Sequence, residues 1–150
     1  MIKIICVGKI KEKFYRDAIE EYKKRLSKYT KLEIIEVPDS SLENINLALE
    51  QEKNSIIKYI NEKDYLIALD INGKTLSSIE LSKNIDNILL QNSNICFIIG
   101  GSYGISDKIK EKCYLLSFSR LTFPHQLFRV ILLEQIYRSF KIINNESYHK

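Results

Sequence analysis

Ile95-Cys96-Phe97-Ile98-Ile99-Gly100-Gly101-Ser102-Tyr103-Gly104 is an unbroken apolar run that ends in a glycine-rich bend. Five successive apolar side chains without polar alternation describe a strand covered on both faces, as in parallel sheets. The glycines permit a sharp exit and positive φ, and a helical stretch begins near Ser106. The local unit is therefore strand, glycine turn, helix. The spacing is GGxxG rather than the GxGxxG of dinucleotide sites, it follows a late strand, and no GK[ST] phosphate loop occurs. A tight strand-to-helix turn needs glycine in any case, so this loop alone does not define a ligand.

The same unit recurs on both sides of it. Apolar runs at Ile2–Val7, Leu32–Val37, Tyr65–Ile71, Ile95–Ile99 and Tyr114–Phe118 have strand length and β-branched or aromatic content. Helices are predicted near 12–28, 42–60, 79–91, 106–112 and 125–143. Ser40 with Glu43, and Ser77 with Glu80, read as capping boxes, and Pro124 suits the first turn of the last helix. Such alternation predicts an α/β fold, a mainly parallel sheet with helices on both faces. With no linker, repeat or low-complexity segment, residues 1–150 are expected to form a single domain. Ligands of these sheets sit beyond the carboxyl ends of strands, which singles out Leu69-Asp70, Gly100-Gly101 and Ser119.

Composition excludes several classes. Charged residues make up 28% and hydrophobic ones 45%, as in soluble globular proteins. No apolar stretch is long enough to span a bilayer, and the opening Met1–Lys9 is too short for a signal peptide, so a cytoplasmic protein is expected. Cys6, Cys96 and Cys113 lack CxxC spacing and are odd in number, which favours buried thiols over disulfides. Two histidines without ligand spacing predict no metal site. Charge is uneven. Residues 1–31 carry ten basic against four acidic side chains, residues 32–119 eight against thirteen, and residues 120–150 five against two. If the fold joins the two ends, they form a face suited to phosphate backbones. A solvated helix face is the plain alternative.

The last helix is apolar on two sides. Phe128, Ile131, Leu132 and Ile136 form one sector, and Leu127, Val130, Leu133, Tyr137 and Phe140 form another. Either a symmetric second copy covers the outer side, or the helix is central within one chain. Glu134 and Arg138 are spaced as an intrahelical ion pair, and His125 shares a face with Arg129. Arg129, amid apolar neighbours, requires a carboxylate, a carbonyl end or an anionic ligand. The final Asn144–Lys150 stretch would fray by default, unless a pocket closes over its histidine.

Taken in order, these segments resemble the RlmH family, a branch of the SPOUT methyltransferases. The resemblance rests on Ile4–Lys9, Leu69–Lys74, Phe97–Gly104, Leu116–His125, Arg129-Val130, Glu134–Arg138 and the closing Tyr148-His149-Lys150. It implies a trefoil-knotted homodimer that methylates N3 of a pseudouridine in 23S ribosomal RNA within the ribosome, using S-adenosyl-L-methionine. It also implies a cofactor pocket of Leu69, Gly100, Phe118, Ser119, Arg120, Leu121, Thr122 and Phe123. Tyr148 and His149 would be catalytic, His149 as base or proton relay and Tyr148 orienting the target base. Arg129 or Arg138 would stabilise charge on the base carbonyls. Two other readings stay open on the residues alone. They are a Rossmann-like enzyme with a nucleotide cofactor, and a non-enzymatic RNA-binding module.

Overall fold

A computed structural model describes residues 1–150. Five strands, β1 (Ile2–Val7), β2 (Leu32–Val37), β3 (Asp64–Thr75), β4 (Asn94–Ile99) and β5 (Tyr114–Ser117), form one sheet in the order β2-β1-β4-β3-β5. Every neighbouring pair is parallel. The helices are α1 (Lys13–Leu26), α2 (Ile45–Ile57), α3 (Ser78–Gln91), α4 (Asp107–Lys110) and α5 (His125–Ile143). The expected α/β architecture is the observed one. No helix is long and apolar enough to cross a membrane.

The continuous apolar runs have a simple cause. β1 and β4 lie inside the sheet and are covered on both faces, so both side-chain sets are buried. Ile2, Ile4, Cys6 and Phe97 belong to a core shared with Ile85, Leu132, Leu133 and Ile136. Their neighbours Ile5, Val7, Cys96 and Ile98 point the other way, into a core with Ile56 and Ile109. Edge strand β2 is instead half-buried or exposed along most of its length, with only Val37 buried.

Helix α5 lies between α1 and α3 on one face of the sheet. Those two helices supply much of the cover for which a second copy and a central position within one chain were the two expectations. Leu132, Leu133 and Ile136 are fully buried within the chain, each contributing about 1.5–3 kcal/mol of burial. Leu127, Phe128, Val130 and Ile131 remain only half-buried. The packing of α1 on α5 also brings the two basic ends of the chain together.

Four boundaries differ from the sequence expectation. β3 continues past Ile71 to Thr75, because the chain bends after Leu69 and pairs again with β5. β5 stops at Ser117, one residue short of Phe118. α2 is capped by Asn44, whose side chain accepts from Leu47 N–H at 3.1 Å, and not by a Ser40–Glu43 box. Ser40 instead donates its hydroxyl to Gln51 Oε1 at 2.6 Å. Pro124 is the N-cap of α5 rather than a first-turn residue. The Ser77–Glu80 box has both arms, at 3.1 and 2.7 Å.

Burial explains the thiols: Cys6 and Cys96 are inaccessible and pushed up to about 12, and Cys113 to about 11. Lys3, also buried, places its ammonium 2.7 Å from Asp64 Oδ2 and 2.9 Å from the Tyr59 carbonyl. Burial alone would raise the Asp64 carboxyl, but hydrogen bonds from Lys3, Asn61 N–H and Asn94 hold it below the ordinary carboxylate range. A depressed native pKa gives stability that is complete above the unfolded value, about 3.9, and is lost as pH falls through the native one. Asp64→Asn should therefore cost about 3–5 kcal/mol at pH 7 by stranding Lys3. Urea titrations of this variant should also show less loss of stability on acidification than the parent; equal slopes would contradict the account.

Candidate active site

The carboxyl ends of β3, β4 and β5 open into a cleft of about 310 Å³. Its floor is apolar, made by Leu69, Ile99 and Leu116 at the strand ends. One wall is the glycine turn. Gly104 N–H donates to the Gly101 carbonyl at 3.0 Å, and Gly104 takes a positive φ of 81°. A Cβ on Gly100 would collide with the Gly104 carbonyl and Ile105. Glycine at 100 thus serves closure of the turn first, leaving its main chain as the surface that the cleft sees.

The opposite wall is the loop between β5 and α5. Ser117 donates its hydroxyl to the Ser119 carbonyl at 3.0 Å, and Ser119 Oγ accepts from Leu121 N–H at 3.0 Å. These local bonds hold the loop without regular structure. Phe118 meets Phe128 edge-on with ring centres 5.1 Å apart, and Phe123 stacks on Phe128 at 6.0 Å. Leu121 and Thr122 complete this side, and His125 stands at the rim. Of the eight residues expected to hold a cofactor, Leu69, Gly100, Phe118, Ser119, Leu121, Thr122 and Phe123 line the cleft; Arg120 is exposed and does not.

Asp70, next to Leu69, also faces the cleft. Its carboxylate accepts from Asn72 N–H at 2.8 Å and from Lys110 Nζ at 3.1 Å. Burial works against the Lys110 charge, but Asp70 and Asp107 outweigh it and raise the ammonium pKa. A fixed carboxylate beside apolar walls can accept hydrogen bonds from hydroxyl or amino donors.

Behind the glycine turn lies a feature that single-sequence reading missed. Glu52 is buried, and one oxygen of its carboxyl has no partner. A Cβ on Gly101 would sit 3.4 Å from both Glu52 Oε1 and Asp39 Oδ1, so two acids back the turn. Burial first, and Asp39 second, push Glu52 above the ordinary carboxylate range, against the pull of Ser40 N–H at 3.2 Å. No motif spacing links residues 39, 52 and 101; only the strand order does.

The tail is pinned rather than frayed. Tyr148 stacks on Tyr137 with centres 5.0 Å apart, donates to Glu134 Oε1 at 3.1 Å, and lies under the Arg138 guanidinium at 4.8 Å. Glu146 accepts from Lys141 at 2.6 Å and Tyr29 at 2.7 Å, which together hold its carboxyl below the ordinary range. Glu134 and Arg138 pair as their spacing required. Arg138 Nη1 lies 3.1 Å from His149 Nδ1. Since Arg only donates, Nδ1 accepts, and a neutral ring carries its proton on Nε2. The tail touches α5 at positions 134, 137 and 138, whereas the cleft meets α5 at 125 and 128. At 1.5 Å per residue that is about 15 Å along the helix from its own chain's cleft.

Arg129 resolves as the sequence demanded. It is 3% exposed and finds a carboxylate, Glu36 Oε2 at 2.6 Å, together with the Gly8 carbonyl at 2.5 Å; its Nε has no partner.

A family model described as "Predicted SPOUT methyltransferase" matches residues 1–149. Among curated relatives, proteins of Clostridium botulinum strains 657, Kyoto and Alaska E43 are named ribosomal RNA large subunit methyltransferase H. Each is 54% identical over 157 aligned positions, covering 99% of this chain and 99% of the relative. With near-complete coverage, and with the cleft at the strand ends where the quoted segments converge, this chain belongs to the SPOUT methyltransferase family.

Proposed function

We propose that this protein transfers the methyl group of S-adenosyl-L-methionine to N3 of a pseudouridine in the 23S RNA of the large ribosomal subunit. The observation that carries the reading is the cleft formed by Leu69, the glycine turn and the Phe118–Phe123 loop, in a family of methyltransferases. Its chemistry suits an adenosyl group. Phe118, Phe123 and Leu121 offer flat apolar surface to a purine, exposed main chain offers donors and acceptors, and Asp70 offers a carboxylate to hydroxyls. When bound, this cofactor supplies an already electrophilic methyl group.

The chain's own task is then alignment and proton handling. While His149 keeps its contact with Arg138, its Nε2–H donates to a carbonyl of the target base. Once that contact opens, Nδ1 is free to take the N3 proton. Tyr148, stacked on Tyr137 and tied to Glu134, holds the tail in place for this. A tail about 15 Å from its own cleft serves the cleft of a second copy. The half-buried apolar side chains of α5, Leu127, Val130 and Ile131, favour a homodimer with that arrangement. The bend of β3 over β5 is where the family's trefoil knot would cross.

The acceptor is the assembled ribosome, because a net charge of +4 gives modest affinity for naked RNA. Labelled methyl should pass to undermethylated ribosomes and not to protein-free 23S RNA; equal transfer to both would remove this part of the proposal.

Calorimetry should give a micromolar dissociation constant for S-adenosyl-L-methionine, about −8 kcal/mol. Gly100→Ala, which forces the turn apart, should weaken it about tenfold or more. Unaltered affinity would detach the cofactor from this turn.

His149→Ala should slow single-turnover methylation by about a hundredfold or more with cofactor affinity unchanged. Mixing it with Gly100→Ala should restore activity to about a quarter of the sites, as a tail acting in trans across a twofold requires. No recovery on mixing would place the tail in its own subunit.

A further inference from the structure

A second cleft, of about 380 Å³, lies beside the first at the carboxyl ends of β1 and β2. Gly101 and His125 line both, so only the glycine turn and the start of α5 separate them. Its remaining charged and polar walls are Lys9, Lys11, Asp39, Gln126 and Arg129. The charge is therefore mainly positive.

Lys9 and Lys11 differ from several of the cations nearby. On α1, Lys13, Lys23 and Arg25 each hold a carboxylate on their own helix. Lys9 and Lys11 are exposed and meet none. Their backbone, in contrast, is tied from several sides. Arg129 donates to the Gly8 carbonyl, Ile10 N–H to Glu36 Oε2 at 3.0 Å, and Lys11 N–H to Gln126 Oε1 at 2.9 Å. Arg16 Nη1 donates to the Lys11 carbonyl at 3.0 Å. A loop braced by β2, α1 and α5 thus presents two free ammonium groups into a cleft. The first turn of α5, a 19-residue helix, adds unpaired amides at the mouth. Each of these features favours an anionic oxygen ligand.

We propose that this cleft seats a phosphodiester of the acceptor RNA next to the nucleotide being methylated, with Lys9 and Lys11 as its positioning residues. The inference rests on the RNA methyltransferase reading above. The shared wall gives it a purpose: a phosphate held here keeps the neighbouring base beside the methyl donor. The same chemistry would fit the donor's own carboxylate, so the test must separate the two.

The variant Lys9→Ala/Lys11→Ala changes only exposed side chains. Its binding to purified undermethylated ribosomes, measured by filter binding between 50 and 200 mM salt, should weaken about tenfold. The slope of log affinity against log salt should become shallower by about 0.7–0.9, the value for one phosphate contact. The KM for ribosomes should rise while the dissociation constant for S-adenosyl-L-methionine stays the same. Lys58→Ala/Lys63→Ala, at the opposite end of the sheet, should change none of these. Unchanged binding and slope, an equal loss in the control pair, or lost cofactor affinity with RNA binding retained would each overturn the assignment. A protein that bound no methyl donor, yet still lost salt-dependent RNA binding with Lys9 and Lys11, would refute the functional reading and keep the cleft.

Discussion

Strand β3 folds over strand β5, and the rest of the site depends on that crossing. Leu116 pairs with both Leu69 and Lys74, so four residues between them must arch across a neighbouring backbone. Gly73 makes the passage possible. A Cβ there would lie 2.7 Å from the main chain of Leu115 and Leu116, a distance that no side chain tolerates. The arch fixes Leu69 and Asp70 beside Leu116 and Ser117 in the cleft wall. The glycine turn after β4 then closes a pocket whose two sides come from segments far apart in the chain.

A second constraint is the position of α5. It is wedged between α1 and α3 over the sheet, and its two ends do different work. At its start, Phe128 supports the Phe118 and Phe123 rings, while Gln126 and Arg129 brace the loop after β1. At its end, Glu134, Tyr137 and Arg138 hold the tail. One rigid rod therefore sets the spacing between the strand-end cleft and the terminal tyrosine and histidine. That fixed separation supports the proposal that the tail serves a second copy's cleft.

Charge follows the same geometry. The acidic middle of the sequence contributes α2, which carries Glu52, behind the glycine turn; the basic ends meet through α1 and α5. Neutralisation within the fold is local, as in Lys3–Asp64 and Arg129–Glu36, where burial demands a partner. Lys9 and Lys11 are left without one although their backbone is firmly held. Rigid placement of an unpaired charge is the condition under which an electrostatic contact confers position as well as attraction.

The amino-acid sequence determined what depends on short-range physics. Unbroken apolar runs at Ile2–Val7 and Ile95–Ile99 specify buried parallel strands, the Ser77–Glu80 spacing specifies a helix start, and Arg129 among apolar neighbours requires a carboxylate, a carbonyl end or an anionic ligand, of which the fold supplies the first two. Leu69, Gly100 and Ser119 line the cleft for the same reason, since strand ends and glycine turns are visible in one dimension; Phe118, Leu121, Thr122 and Phe123 also line it and are implied only by the resemblance. Tertiary structure decided what depends on strand order and crossing. The second pairing of β3 with β5, the α1 and α3 cover over α5, and the approach of Asp39 and Glu52 to Gly101 join residues with no common spacing. Such contacts are set by which strands become neighbours, and no local propensity records that choice.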